Sequence, residues 1–541
     1  MARGSCEPMA MMEDFSPSPP SRGSVIIGID AGTSVVKSVA FTTGGRQIAE
    51  AARPNRYWRV EDGGVEQNMC KTWEDTAATL REVVGKLPDG AASVLAVAVT
   101  GQGDGTWLID AAGAPVAPAW LWLDARAGAL ASAIRGASAY ARQYEATVTG
   151  LNACQQSAQL LYMKSAMPEL LERATTAFHC KDWLYFRLTG ERATDPSEAC
   201  FTFGDYRSRD YSEPVIDGLG LAEERRLLPP IVDGATTSHP LSPEAAAATG
   251  LPVGTPIVLG YVDFGCTAIG GGLISSKGDV GCSILGSTGI HMRYVAHAGD
   301  VVLNPDRSGY LMLLPGRSAV GQIQSNMAAT LNIDWMLDLA CGILAYEGIE
   351  RGRQDLVKAL DERVLAAKPV GAIYHPYISE AGERGPFMDP LARAQFTGLQ
   401  SDAGFYDLMR AVLEGLAFAA RDCYAAAGGL PAEVRLTGGA ARSKAMRSIL
   451  ASVLGRPVRT VSREEAGAAG AAMIAAVQAG LYPDIQAAAD AWVEPLVGPP
   501  SLPEPGLVPL YDEAFELYRE LRDAIRPLWT KLAAIKARQG A

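Results

Sequence analysis

The sequence has no apolar run long enough to cross a bilayer, and its start lacks an export signal. The longest apolar stretch, residues 466–479, is broken by Gly467 and Gly470, whereas a spanning helix needs about 20 apolar residues. The first 23 residues are rich in Ser, Pro and Met but have no apolar core typical of a secretory signal. We therefore expect a cytoplasmic protein, with no membrane partner and with a disordered leader over residues 1–23.

Positive charge and metal-binding patterns are also scarce. The formal net charge is −12, which argues against partners such as nucleic acid that bind through basic patches. The nine cysteines are scattered without a Cys-x-x-Cys pair, so we interpret them as reduced thiols. The five histidines show no metal-ligand spacing. We expect no nucleic-acid partner and no metal apart from a transient Mg²⁺.

Two common phosphate-binding motifs are absent. The segment 31–38 ends in Lys37 and Ser38, but Ala31 and Val36 stand where a P-loop has glycine. The segment 101–105 resembles a dinucleotide loop, yet it lacks the third glycine and continues as a predicted strand. These departures argue against a P-loop nucleotidase and against a Rossmann dehydrogenase.

The pattern that is present indicates a duplicated α/β protein. A chain of 541 residues exceeds the size of one hydrophobic core, so two domains are expected. Apolar runs at 25–29, 35–41 and 47–52 predict a three-stranded meander, and a strand is predicted at 94–100. In the second half we predict strands at 278–284 and 434–437 and a helix at 405–420. Both halves place a Gly/Thr-rich turn directly after a strand.

A proline-rich connector at 499–505 separates this body from the C-terminal end. Apolar residues then recur at helical spacing from Tyr518 to Ile535, with Pro527 among them. A helix interrupted at Pro527 is therefore expected to pack on the body.

The turn after the first predicted strand has the residues that phosphate binding needs. It reads Asp30, Ala31, Gly32, Thr33, Ser34, in which small residues expose backbone N–H groups and the Asp is able to hold Mg²⁺ through water. Lys37 would add a countercharge. The alternative is an ordinary hairpin turn, chosen for its backbone conformation.

Taken in order, five motifs resemble the FGGY carbohydrate kinase family over roughly residues 24–490. They lie at 27–37, 120–126, 263, 286–289 and 437–443. The resemblance implies two ribonuclease-H-like domains of the actin/hexokinase type, with substrate and ATP in the cleft between them. It places the substrate domain at 24–262, the ATP domain at 263–498, and the connector and closing helix at 499–541.

The resemblance also implies roles for individual residues. Asp263 matches the general base, for which the alternative is a helix N-cap. Asp30 would hold Mg²⁺ through water, and Asp263 is a second candidate ligand. The residues implied to bind ATP, besides Lys37, are Asp30, Gly32, Thr33 and Ser34 in the first loop, Gly286, Ser287, Thr288 and Gly289 in the second, and Gly438, Gly439, Ala440 and Ser443 at the adenosine turn.

The implied acceptor site lies in the first half of the chain and next to the base. Its residues are Gln102, Asp104, Trp122, Asp124, Arg126, Gln155, Asp263 and Phe264. Asp104 matches a hydroxyl-binding position, and Gly103 replaces the arginine of glycerol kinases. Asp124 and Arg126 have an equally good interpretation as a structural ion pair.

The motif combination is most similar to family members that phosphorylate erythritol, so transfer of the ATP γ-phosphoryl group to a terminal hydroxyl of a small polyol is expected. The alternatives are a pentitol, a ketopentose or glycerol as the acceptor. A different class, an actin-type ATPase acting as a sensor or chaperone, also remains. The sequence is compatible with a homodimer but does not determine the oligomeric state.

Overall fold

The computed structural model describes residues 25–316 and 318–538. The predicted leader at 1–23 lies outside these residues. None of the helices within this part of the chain is both long and apolar enough to cross a membrane.

The first half of the chain builds one large sheet with a set of small strand pairs and helices around it. Its strands are β1 (Val25–Ala31), β2 (Val35–Thr42), β3 (Gln47–Pro54), β4 (Tyr57–Arg59), β5 (Val65–Gln67), β6 (Val94–Gly101), β7 (Trp107–Ile109), β8 (Ala119–Trp120), β9 (Thr176–Phe178), β10 (Gly204–Asp205), β11 (Asp210–Tyr211), β12 (His239–Pro240) and β13 (Pro256–Leu259). Its helices are α1 (Met69–Lys86), α2 (Gly128–Gly136), α3 (Tyr140–Thr147), α4 (Gln156–Ala166), α5 (Pro168–Arg173), α6 (Cys180–Thr189), α7 (Pro196–Phe203), α8 (Glu213–Gly218) and α9 (Pro243–Thr249).

The second half builds another large sheet and most of the long helices. Its strands are β14 (Val280–Leu285), β15 (Gly289–Val295), β16 (Tyr310–Leu313), β17 (Val320–Asn326), β18 (Ile373–His375), β19 (Gln395–Thr397), β20 (Glu433–Thr437) and β21 (Val458–Thr460). Its helices are α10 (Asp263–Gly270), α11 (Thr330–Tyr346), α12 (Arg353–Val357), α13 (Leu360–Ala366), α14 (Phe405–Ala426), α15 (Lys444–Leu454), α16 (Ala466–Gln478), α17 (Ile485–Trp492) and α18 (Val508–Ala537).

Five strands of each large sheet repeat one topology, and the sixth strand lies at a different edge in each, with β12 beside β13 and β16 beside β17. In the order β12-β13-β6-β1-β2-β3, strand β1 pairs antiparallel with β2 and parallel with β6. In the order β16-β17-β15-β14-β20-β21, strand β14 pairs antiparallel with β15 and parallel with β20. Both sheets therefore bring the turn after their first strand and the loop after their next parallel strand to the same sheet edge. The predicted meander and the predicted duplication agree with this arrangement.

Two helices, α10 and α16, cross between the sheets. Glycines permit a very close approach, since a Cβ on Gly470 would lie 1.9 Å from the Cys266 carbonyl oxygen and one on Gly270 would lie 2.1 Å from that of Ala466. Helix α16 comes late in the sequence, yet it packs against β1 and β6 of the first sheet. The apolar run at 466–479 is thus a buried helix shared by both halves.

The closing helix differs from its prediction because α18 continues through Pro527. Packing on both sides of the proline holds the helix together. Tyr518 stacks on His375 before it, and Trp529 stacks on Phe387 after it. Burial of these rings offsets the missing backbone hydrogen bond.

Candidate active site

A cavity of about 270 Å³ opens in the cleft between the two sheets. Its lining residues come from both halves of the chain: Thr33, Gly103, Asp104, Trp122, Asp263, Phe264, Thr267, Ile284, Thr288, Ile290, Tyr310, Ile323, Ser325 and Arg384. Among them are six of the predicted site residues. The cavity suits a small ligand, because pockets for drug-sized molecules start at about 300 Å³.

The first predicted phosphate loop joins β1 to β2 and is held by Asn55. The Asn55 amide donates to the Gly32 carbonyl at 2.9 Å, and its backbone N–H donates to that of Ser34 at 2.8 Å. The Thr33 hydroxyl accepts from the Trp122 indole at 2.8 Å and donates to Gln102 at 2.9 Å. The side chain of Thr33 is therefore committed to the protein, and the loop offers its backbone to a ligand.

The second predicted phosphate loop joins β14 to β15 and lies directly beside the predicted adenosine turn. Gly438 has φ +88°, and a Cβ there would lie 2.5 Å from the Leu285 carbonyl oxygen, next to Gly286. Gly438 and Gly439 also border a larger cavity of about 860 Å³. Ser443 does not offer its hydroxyl to this space, because that group caps α15 and donates to Asp361 at 2.6 Å.

Asp263 lines the cavity, and Asp30 at the end of β1 is close enough to act on it electrostatically. Asp263 begins α10, and its Oδ1 accepts the Phe264 N–H at 2.6 Å, so it meets both the cleft and the helix backbone. Burial, followed by the negative charge of Asp30, raises the pKa of Asp263 well above its usual range. Burial and the charge of Glu465 raise the pKa of Asp30 to about 6.

Lys37 does not have a free ammonium group. It lies opposite Asp30 in the β1–β2 register, but its Nζ contacts Glu465 Oε1 at 2.7 Å. Although burial opposes protonation, this hydrogen bond raises the pKa of Lys37. The ammonium charge of Lys37 is therefore paired across the two halves, and its contact with phosphate stays a prediction.

Asp104 also lines the cavity and has a left-handed backbone conformation, with φ 53°. Its Oδ2 accepts from the Tyr310 hydroxyl at 3.0 Å and from the Cys154 thiol at 3.5 Å. Its backbone N–H donates to Glu198 at 3.0 Å. Burial raises the pKa of Asp104, although the hydrogen bonds from Tyr310 and Cys154 oppose the change.

Glu198 belongs to a fully buried charged cluster behind Asp104. The Lys181 ammonium contacts Asp182 at 2.9 Å and Asp195 at 2.7 Å, and it also contacts Glu198. His179, Asp182 and Glu198 come close enough to hold a metal ion, which the histidine spacing did not indicate. Because Lys181 already supplies the cation, we interpret the cluster as an internal support for Asp104.

Four predicted acceptor residues do not line the cavity. Gln102 is tied to Gln67 at 2.7 Å and to Thr33, and Gln155 donates to the Gly150 carbonyl at 3.2 Å. Asp124 and Arg126 form a buried ion pair at 2.6 Å, which agrees with the structural alternative. The partners of these four side chains all lie in the first half of the chain, and other residues line the cavity.

Arg384 and Tyr310 are the main lining residues that the sequence analysis missed. Tyr310 begins β16, and Arg384 lies in a loop between β18 and β19. Neither lies in a glycine-rich turn after a strand, so the signal used for the other residues does not apply to them. Tyr310 reaches Asp104 only through the packing of the two halves.

A duplicated α/β fold with two facing glycine-rich turns and acidic groups between them is typical of the actin/hexokinase class of two-domain kinases. Residues 25–270 match the model of the N-terminal domain of the FGGY family of carbohydrate kinases, and residues 282–479 match its C-terminal domain. The chain belongs to the FGGY family of carbohydrate kinases, which confirms the predicted fold class and the assignment as an enzyme.

The relatives include the erythritol kinase of Brucella abortus (strain 2308). It is 52% identical over 515 residues, which is 95% of this chain and 99% of the relative. The xylulose kinase of Escherichia coli (strain K12) is 28% identical over 468 residues, covering 84% and 90%. The solved structure of the gluconate kinase from Lactobacillus acidophilus superimposes with a TM-score of 0.84 at 22% identity, covering 94% of this chain and 99% of that one.

Proposed function

We propose that this kinase transfers the γ-phosphoryl group of ATP to a terminal hydroxyl of erythritol. The observation that supports it most is one cavity of about 270 Å³ that is lined both by Asp263, the candidate base, and by Asp104, a candidate hydroxyl ligand. The 52% identity to a Brucella erythritol kinase supports the choice of acceptor. The eight described cysteines are free thiols, in keeping with a reducing cytoplasmic compartment.

In the proposed reaction, Asp263 accepts the proton of the attacking hydroxyl. The hydroxyl oxygen bonds to the γ-phosphorus while the bond from that phosphorus to the bridging oxygen breaks, and ADP leaves with the electron pair. Burial and the charge of Asp30 raise the pKa of Asp263 above its usual range, which makes its carboxylate a stronger proton acceptor. Backbone N–H groups of the loops after β1 and β14 would stabilise the phosphoryl oxygens.

The residues at the centre of the cleft fit a magnesium ion accompanying ATP. The negative charge of Asp30 acts on Asp263, the negative charge of Glu465 acts on Asp30, and no lysine or arginine within the described chain forms an ion pair with Asp30 or Asp263. Asp30 would hold the ion, through water as the sequence suggested, with Asp263 near it. When bound, Mg²⁺ would neutralise phosphate charge.

Measuring ADP release with a panel of acceptors tests the proposal. The panel comprises erythritol, threitol, glycerol, ribitol, xylitol, xylulose and ribulose, each compared by kcat/KM. We expect erythritol to exceed every other acceptor by at least about tenfold, since a site that binds hydroxyls penalises a missing or misplaced one. A higher value for a pentitol, a ketopentose or glycerol would refute the erythritol assignment.

A further inference from the structure

Asp104 has an acceptor atom without a partner. Its Oδ2 is bound by Tyr310 and Cys154, whereas Oδ1 is buried and has no hydrogen-bond partner within the described chain. The side chain lines the cavity and is 8% exposed. A buried carboxylate oxygen left unpaired is costly, so this atom points to a ligand that donates a hydrogen bond.

Arg384 has a complementary donor. One terminal nitrogen donates to the Ser325 hydroxyl at 2.9 Å, whereas Nε is buried and unpartnered as far as the structure is described. The guanidinium lies over Trp122, with its carbon 5.9 Å from the ring centroid. No carboxylate in residues 25–316 and 318–538 forms an ion pair with it. The group therefore keeps both its charge and one directed N–H for a ligand.

The two free groups face the same cavity from opposite halves of the chain. The positive charge of Arg384 acts on Asp104 and partly opposes the burial that raises the pKa of Asp104. Both residues line the cavity together with Trp122 and Tyr310. A ligand that satisfies both groups must offer a donor to one and an acceptor to the other at adjacent positions.

We propose that Asp104 Oδ1 and Arg384 Nε bind two neighbouring hydroxyls at the end of the acceptor remote from Asp263. One hydroxyl of this vicinal diol donates to Asp104, and the other accepts from Arg384. This assignment rests on the proposed polyol kinase function and adds the groups that select a vicinal diol. The acceptor then bridges both halves, because Asp104 follows β6 and Arg384 follows β18.

The loop around Asp104 cannot supply the guanidinium itself. A Cβ on Gly103 would lie 2.3 Å from the Val262 side chain and 3.2 Å from Glu198 Oε1, so a longer side chain has no room. The cation comes from the second half instead. Trp122 lines the same cavity, and its ring then packs against the carbon chain of the acceptor.

Two variants and two acceptors test the binding of the diol by Asp104 and Arg384. The variants are Arg384→Gln and Asp104→Asn, and the acceptors are erythritol and its 1-deoxy analogue, erythro-butane-1,2,3-triol. The analogue keeps a single primary hydroxyl for attack and replaces the remote one by hydrogen. We expect the wild type to prefer erythritol by at least about tenfold in kcat/KM, because the analogue leaves either Asp104 or Arg384 without its hydroxyl partner.

Each variant is expected to raise the KM for erythritol by about tenfold or more. If the removed hydroxyl is the one that binds Arg384, Arg384→Gln loses the preference for erythritol over the analogue and Asp104→Asn retains it. If the removed hydroxyl binds Asp104, the two variants exchange these results. Parallel losses for both acceptors in both variants would overturn the proposal, because they would place Arg384 on the phosphoryl group or in folding. A wild type without any preference would overturn it too.

Further variants separate binding from folding and from the function itself. Arg384→Lys keeps the charge but not Nε, so its KM for erythritol should also rise, while the Kd for ADP stays unchanged. Arg225→Gln, which removes an exposed arginine paired with Glu213, should behave as the wild type. If the wild type releases no ADP with erythritol, the proposed function fails. Diol binding by Asp104 and Arg384 is then tested separately, with the preferred polyol and its terminal deoxy analogue.

Discussion

The two halves of the molecule use the same framework for different ligands. After β6, the first half places Asp104 and its hydrogen-bond network, and after β20 the second half places Gly438 and Gly439 at the equivalent point. Asp30 lies at the end of β1, directly before its turn, whereas the turn after β14 is built from Gly286, Ser287 and Thr288 without a charged group. The first half therefore offers charged side chains with directed hydrogen-bonding groups, and the second half offers small, uncharged residues.

This difference matches the chemistry of the two substrates. A polyol presents hydroxyls that need directed acceptors and donors, which only side chains such as Asp104 provide. A nucleotide lies against the backbone, and glycine leaves the space for it. Asp263 begins α10 at the boundary between the halves. The comparison predicts that changes in each half affect different kinetic constants.

Asp263→Asn should have the largest effect. It removes the proton acceptor but neither half's binding groups, so kcat should fall by roughly 10² to 10⁴-fold. Calorimetric titration should give a Kd for ADP within about threefold of the wild type. Turnover near that of the wild type would refute the role of Asp263, and a large loss of ADP affinity would show that the two halves are not separable at this residue.

The parts of the site that were predictable from sequence lie in local motifs. Asp30 lies at the end of a strand, and Asp104 and Thr288 each follow one within a glycine-rich segment, which is recognisable without knowing what packs against it. Arg384 and Tyr310 line the cavity because two distant segments pack together, and nothing in their neighbouring residues records that contact.

The contacts of two other predicted site residues also depend on distant segments. The side chains of Gln102 and Lys37 bind Gln67 and Glu465, partners that the local sequence does not identify. The fold itself was predictable to the level of its repeated sheets, because alternating strands and helices leave a periodic signal. Pro527 shows the limit of that signal, since long-range packing keeps α18 continuous.

Gly438→Ala should have an intermediate effect that is confined to the second half. Gly438 has φ 88° and ψ 178°, a conformation nearly exclusive to glycine that costs other residues about 1–3 kcal/mol. The added Cβ would also press on the Leu285 carbonyl and move the adjoining phosphate loop. The KM for ATP should rise about tenfold, while the KM for the polyol should stay within about twofold.

A matched control for this variant is Gly85→Ala in α1, where an added Cβ meets no atom within 4 Å. Its steady-state constants should equal those of the wild type. If Gly438→Ala raises the polyol KM as much as the ATP KM, the division of the two ligands between the halves is wrong.

Asp30→Asn should weaken Mg²⁺ binding and have one further, smaller effect, which is a shift in pH dependence. Asp263 acts as a base only when deprotonated, so kcat/KM falls as the pH falls through its raised pKa. Burial is the larger cause of that raised pKa, and the charge of Asp30 is the next. Removing this charge lowers the pKa of Asp263, so the acid limb of the profile should move to lower pH even if the maximal rate also falls.

The pH profile of kcat/KM for Asp30→Asn is compared with that of Asp62→Asn, which changes an exposed carboxylate outside the cleft. Asp62→Asn should keep the acid limb of the wild-type profile. The titration of ATP is common to all three enzymes and cancels in the comparison. An acid limb that stays in place or moves to higher pH would mean that Asp30 does not act on the base. The charged turn of the first half would then differ from the neutral turn of the second only in binding the metal.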